Sequence, residues 1–224
     1  MRALLFGATG MVGQGVLREC LADPDVTEVL AVGRAPSGVS HPKLRDLVRA
    51  DLFDLAPVAD ALAGYDACFW CLGVSAAGKS EAEYARTTYE LTLAAARVLA
   101  ARNPRMAFVY VSGAGTDGTE KGRSMWARVK GRTENALFAL PFRAFAFRPG
   151  FIQPMHGERS RTGWYRATYA VTRPLVPLLR RVMKDSMLTT EQVGRAMIAV
   201  AKRGAPKRVL EAKDIAALAR APAA

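Results

Sequence analysis

Ala3-Leu4-Leu5-Phe6-Gly7-Ala8-Thr9-Gly10-Met11-Val12-Gly13 is the stretch that decides how this chain folds. Ala3–Phe6 is an unbroken apolar run, as a buried strand requires. Gly7, Gly10 and Gly13 follow at a GxxGxxG spacing, and Met11–Leu21 then has helical periodicity, with Val12, Val16 and Leu17 on one face. A glycine turn between a strand and a helix has a physical purpose. The first glycine permits the tight turn, the second lets the backbone approach a pyrophosphate, and the third lets helix and strand pack closely. The helix N-terminus adds free N–H groups and the positive end of its dipole. Gly7, Thr9, Gly10, Met11, Val12 and Gly13 are therefore expected to hold the phosphates of a dinucleotide.

Outward from that turn, strand-like and helix-like segments alternate, the pattern of a parallel α/β sheet. Strands are expected at Glu28–Val32, Leu47–Arg49, Ala67–Leu72, Ala107–Val111 and Ala144–Phe147. Helices are expected at Pro57–Leu62, Glu81–Arg102 and Trp126–Phe138. The fold class is a Rossmann-type doubly wound sheet with helices on both faces. After Pro149 the alternation stops. Thr189–Lys202 reads as a helix capped by Thr189 or Thr190, Val209–Leu210 as a short strand, and the alanine-rich end as fraying from about residue 216. The division expected is a binding domain over 1–155 and a small C-terminal lobe and helix, 156–224, completing it.

The end of the second strand bears on which dinucleotide is held. NAD sites place an acid about twenty residues past the glycines, to bond the ribose hydroxyls. Here the strand runs into Gly33-Arg34, with no acid. Arg34 suits a 2′-phosphate, and a charge-assisted hydrogen bond is worth roughly 1.5–3 kcal/mol, or about ten- to hundredfold in affinity. NADP is thus expected ahead of NAD. Asp51-Leu52, after the third strand, is placed to meet the adenine, although Asp51 could equally cap the next helix.

Half the residues are hydrophobic, enough for a full core. The net charge of +12 would suit a phosphate-bearing ligand, but the basic residues are scattered and no nucleic-acid motif is present. No run of about 18 apolar residues suggests a membrane span, and a cytoplasmic protein is expected. The three cysteines, Cys20, Cys68 and Cys71, do not suggest a disulfide framework. Cys68 and Cys71 form a CxxC, but residues three apart on a strand point to opposite faces, so neither a metal site nor a redox pair is expected.

These motifs together resemble the short-chain dehydrogenase/reductase superfamily in its extended and atypical branches. The carriers are Gly7–Gly13, Gly33-Arg34, Asp51-Leu52, Cys71-Leu72-Gly73, Tyr110-Val111-Ser112, Lys130 and Arg148-Pro149-Gly150. The chain is most similar to small epimerase-like proteins related to the Tat-interacting oxidoreductase group, over about residues 1–155 and more faintly to 203. The resemblance implies that Leu72 and Gly73 border the cofactor, that Lys130 contacts the nicotinamide ribose, that Ser112 orients the substrate, and that Pro149, Gly150 and Phe151 line the nicotinamide side. Ser112 and Lys130 are the catalytic candidates it supplies.

One family residue is missing. The general acid is a tyrosine four residues before the lysine, on the same helix face. That position here holds Trp126. An indole N–H donates a hydrogen bond but is not a usable proton source near neutral pH. General acid–base help is typically worth about 10²–10⁴ in rate. Ala114 stands where a second hydroxyl often lies, leaving Thr116 and Ser124 as stand-ins. Tyr84, Tyr89, Tyr165, Tyr169 and His156 are the other proton-donor candidates. The segment Trp164–Met183, with Arg159, Arg161, Arg166 and Arg173 in and around it, could wall a substrate pocket, form a homodimer face, or lie on a membrane surface. Three readings result: an NADP-dependent oxidoreductase or epimerase acting on a small molecule, an NADP(H)-sensing protein, or a nucleic-acid- or membrane-associated protein.

Overall fold

The computed structural model describes residues 1–158 and 187–220. The chain begins β1 (Arg2–Phe6), α1 (Met11–Ala22), β2 (Glu28–Gly33), β3 (Leu44–Val48), then a 3₁₀ helix over Ala56–Leu62 and β4 (Ala67–Trp70). There follow α2 (Glu81–Ala85), a π-helical turn (Arg86–Glu90), α3 (Leu91–Arg102), β5 (Ala107–Val111), α4 (Met125–Phe138), β6 (Arg143–Arg148) and β7 (Phe151–Gln153). The last described elements are β8 (Met187–Thr189), α5 (Thr190–Arg203), β9 (Val209–Glu211) and α6 (Ala212–Arg220). A parallel sheet runs in the order β3-β2-β1-β4-β5-β6-β9, and β7 pairs with β8 in a separate parallel ribbon. Strand order reverses beside β1, so β1 and β4 open the crevice at the carboxyl end where such sheets take ligands.

Alternation along the strands builds a core on each face. Leu5, Val29, Ala31, Phe69, Val109 and Phe147 pack beneath α1, α5 and α6. Leu4, Phe6, Cys68, Trp70, Phe108 and Tyr110 pack beneath α3 and α4. On that second side Phe6, Trp70, Phe108 and Phe142 form a chain of rings with centroids 4.6, 5.9 and 5.0 Å apart. Cys68 belongs to this second core, whereas Cys71 packs against the first, together with buried Cys20. The CxxC is thus split between faces, as strand geometry demands.

Several expectations need correction. The third strand starts at Leu44, not Leu47, because this edge strand is polar and largely exposed and lacks the apolar run that marks its neighbours. The helix expected over Glu81–Arg102 is interrupted by the π turn, which leaves Thr88 Oγ1 buried without a partner. Asp51 caps no helix: its carboxylate accepts from the Phe53 N–H at 2.8 Å, and the next helix starts beyond Leu55. Fraying does not set in at 216, since α6 continues to Arg220 with Ile215 and Ala216 buried. At α5, Thr189 and Gln192 form a reciprocal capping box. Trp164, Tyr165, Tyr169, Arg159, Arg161, Arg166, Arg173 and the rest of the 159–186 segment lie outside the described residues.

Candidate cofactor-binding site

The glycine turn is built as its spacing predicts. Gly7 has φ +85°, a conformation that favours glycine, and a β-carbon there would lie 2.8 Å from the Cys71 carbonyl. A β-carbon on Gly13 would lie 2.0 Å from the Gly7 carbonyl oxygen, so no larger residue lets α1 sit this close to β1. The Gly10 N–H donates to the Gly7 carbonyl at 2.9 Å, and Gln14 Nε2 holds the Thr9 carbonyl at 3.0 Å. The start of α1, with its free N–H groups, therefore faces the crevice.

Two cavities open on this turn. The larger, about 400 Å³, is lined by Gly7, Thr9, Gly10, Met11, Val12, Arg34, Cys71, Leu72, Gly73, Val74, Val111, Ser112 and Lys130. Its charged lining residues are Arg34 and Lys130, with no acid among the described residues, which suits a polyanion. The smaller, about 90 Å³, adds Ala31, Gly33, Ser37, Asp46 and Leu52 on the far side of Arg34. Asp46 is an acid that the second-strand reading missed, since it lies on the neighbouring edge strand. Its carboxylate is already committed to the Ser37 N–H at 3.0 Å and the Ser37 hydroxyl at 2.9 Å. Gly13, Asp51, Pro149, Gly150 and Phe151 do not line either cavity in the described structure. Gly13 acts through helix packing, and the Pro149 carbonyl accepts from the Ala114 N–H at 2.9 Å, joining the ends of β5 and β6.

At the inner end, Lys130 projects from α4, its ammonium 3.3 Å from the Val111 carbonyl and 5.3 Å from the centre of the Tyr110 ring. Burial pushes its pKa down to about 8. Glu134, one turn further along α4, pulls the other way. Both Glu134 oxygens are engaged by Arg148, at 2.6 and 3.0 Å, in a buried bidentate pair joining α4 to β6. Ser112 is buried, with its hydroxyl 3.0 Å from that of Thr116. Thr116 spends its one proton on the Gly113 carbonyl at 2.7 Å. Ser112 must then be the donor of the pair, and it presents lone pairs to the cavity.

Trp126 is half-buried over the loop after β5. A β-carbon on Gly115 would lie 3.5 Å from the indole and one on Gly113 3.8 Å, ordinary contact distances, so the ring lies against both residues without requiring glycine for space. The stand-ins proposed for the tyrosine separate clearly. Thr116 joins Ser112, whereas Ser124 is exposed at the start of α4. Tyr84 is buried against the second core side, and Tyr89 lies under the Arg132 guanidinium at 4.1 Å. His156 bonds Glu191 at 2.6 Å, at the start of α5. None of Tyr84, Tyr89 and His156 lines either cavity as described.

The fold and the crevice are those of a Rossmann-type NAD(P)-binding protein. A family model described as NAD(P)H-binding matches residues 7–142. "Protein fmp52, mitochondrial" of Emericella nidulans is 31% identical over 206 residues, covering 87% of this chain and 84% of its own length. "Protein fmp52-2, mitochondrial" of Aspergillus oryzae is 26% identical over 231 residues, covering 97% and 96%. Among solved structures, the Bordetella bronchiseptica enzyme WbmF in complex with NAD+ superposes with a TM-score of 0.66 at 18% identity, covering 97% of this chain and 76% of that one. A short-chain dehydrogenase/reductase family oxidoreductase from Burkholderia thailandensis superposes at 0.68, also at 18% identity, covering 96% and 92%. The chain belongs to the NAD(P)H-binding family, and its relatives include fmp52-type proteins. The expectation of a cytoplasmic protein is corrected here, because both fmp52 relatives carry a mitochondrial designation. Among the described residues no helix is long and apolar enough to cross a membrane.

Proposed function

We propose that this protein is an NADP(H)-dependent oxidoreductase for a small carbonyl or alcohol substrate, with Lys130 and Ser112 handling the proton in place of a tyrosine. The observation that carries this reading is that the larger cavity is lined by the glycine turn, Arg34, Ser112 and Lys130 together. Gly7, Thr9, Gly10, Met11, Val12, Leu72 and Gly73 would hold the cofactor, with Arg34 at its 2′-phosphate and Leu52 beside the adenine. A bound nicotinamide supplies the two-electron chemistry. Lys130 Nζ holds a proton that it can release near neutral pH, as a general acid needs. Ser112 accepts a hydrogen bond from a substrate hydroxyl, and Thr116 fixes its rotamer. Purified protein with NADPH and a panel of aldehydes and quinones tests this. Turnover is expected, and Lys130→Met should lower kcat by about 10²–10⁴ while leaving NADPH bound. Turnover unchanged by Lys130→Met would refute the role of the lysine.

A second reading, a non-catalytic NADP(H) sensor, is favoured by Trp126 standing four residues before Lys130, where the proton-donating tyrosine would be. Tight NADPH binding with no turnover across the panel would select it.

A further inference from the structure

We propose that Arg49 is a second determinant of cofactor choice, sharing the 2′-phosphate of NADP(H) with Arg34. This rests on the NADP(H) reading above and adds a residue to it. Gly33 of β2 is in register with Val48 of β3, and the next residue on each strand is an arginine. The backbones are bonded at that point, the Arg49 N–H donating to the Gly33 carbonyl at 2.8 Å. Two guanidinium groups therefore leave the carboxyl edge of the sheet from adjacent positions.

Neither side chain has an acceptor among the described residues, in hydrogen bond or ion pair. Arg49 Nε is shielded from solvent yet unpartnered. A charged donor left unsatisfied in this way is costly. The nearby acid, Asp46, accepts from Ser37 through both oxygens and makes no ion pair with either arginine among the described residues. Arg34 lines the smaller cavity and Arg49, joined to the end of β2 through the Gly33 carbonyl, does not, so a dianion held between the two side chains at the cavity's edge would relieve both. A ribose 2′-phosphate is a monoester with three acceptor oxygens and a charge of about −1.5 to −2 at neutral pH, enough to engage both forks. A ribose 2′-hydroxyl offers neither the charge nor the acceptors.

The full chain should be titrated calorimetrically with 2′,5′-ADP and with 5′-AMP, fragments that differ by the 2′-phosphate. Wild type should bind 2′,5′-ADP at least about tenfold more tightly. Arg49→Ala should lose about tenfold or more for 2′,5′-ADP and keep its 5′-AMP affinity, with Arg49→Lys in between. The preference should shrink as pH falls through about 6, where the phosphate takes up its second proton. Unchanged 2′,5′-ADP binding in Arg49→Ala, with Arg34→Ala impaired, would overturn this inference alone. Equal loss for both fragments in Arg49→Ala and in near-isosteric Arg49→Gln would make Arg49 structural and also overturn it. Wild type that fails to distinguish the fragments would instead refute the NADP(H) reading itself.

Discussion

Lys130 concentrates the chemistry of this site at one atom. Its folded pKa lies below the value of 10.5 for a free lysine, because burial disfavours the charge by more than the nearby Glu134 carboxylate favours it. Between pH 8 and 10.5 the unfolded chain binds the extra proton, so stability rises with pH across that window. Below pH 8 the cost of the buried ammonium is present in full. Lys130→Met should therefore be more stable than wild type at pH 7 by roughly 1–3 kcal/mol, with the gap closing towards pH 10.5. Urea denaturation at a series of pH values measures this. A gap that stays constant with pH would mean that the ammonium is well solvated. The lysine itself was legible from its place in the family motif. The Glu134–Arg148 pair beside it was not, because it joins two elements by a contact that no local periodicity encodes.

At the scale of elements, the buried strands were the most legible parts, since continuous apolar runs flanked by turns admit few alternatives. β3 was mistaken at its start because an edge strand has little apolar surface to show. The π turn was invisible because an extra residue in a helical turn alters the backbone register without altering composition. What held the glycine turn in place was also only partly visible. α5 returns to lie on α1, and the contact is made by small residues. A β-carbon on Gly15 would lie 2.5 Å from that of Thr190, and one on Gly194 2.7 Å from the Glu19 side chain. Arg195 and Glu19 then bridge the helices at 2.9 Å. Gly15→Val should push α5 away and destabilise the fold by about 1–3 kcal/mol or more, as read by thermal unfolding. A melting temperature equal to that of wild type would show that the helices can separate freely.

For the whole molecule, the sheet order places every cavity-lining motif at one carboxyl edge, although those residues are spread from Gly7 to Lys130 in the chain. That convergence could be anticipated from the alternation of strands and helices alone. Cofactor preference is harder to anticipate, because it depends on which side chains meet at the β2–β3 corner. Arg34 was legible at the end of its strand, whereas Arg49 and Asp46 lie on an edge strand whose register only the structure fixes. The most direct measurement is the pair of equilibrium dissociation constants for NADPH and NADH on the full chain at neutral pH. NADPH should bind at least about tenfold more tightly. Equal affinities, or tighter binding of NADH, would contradict the account.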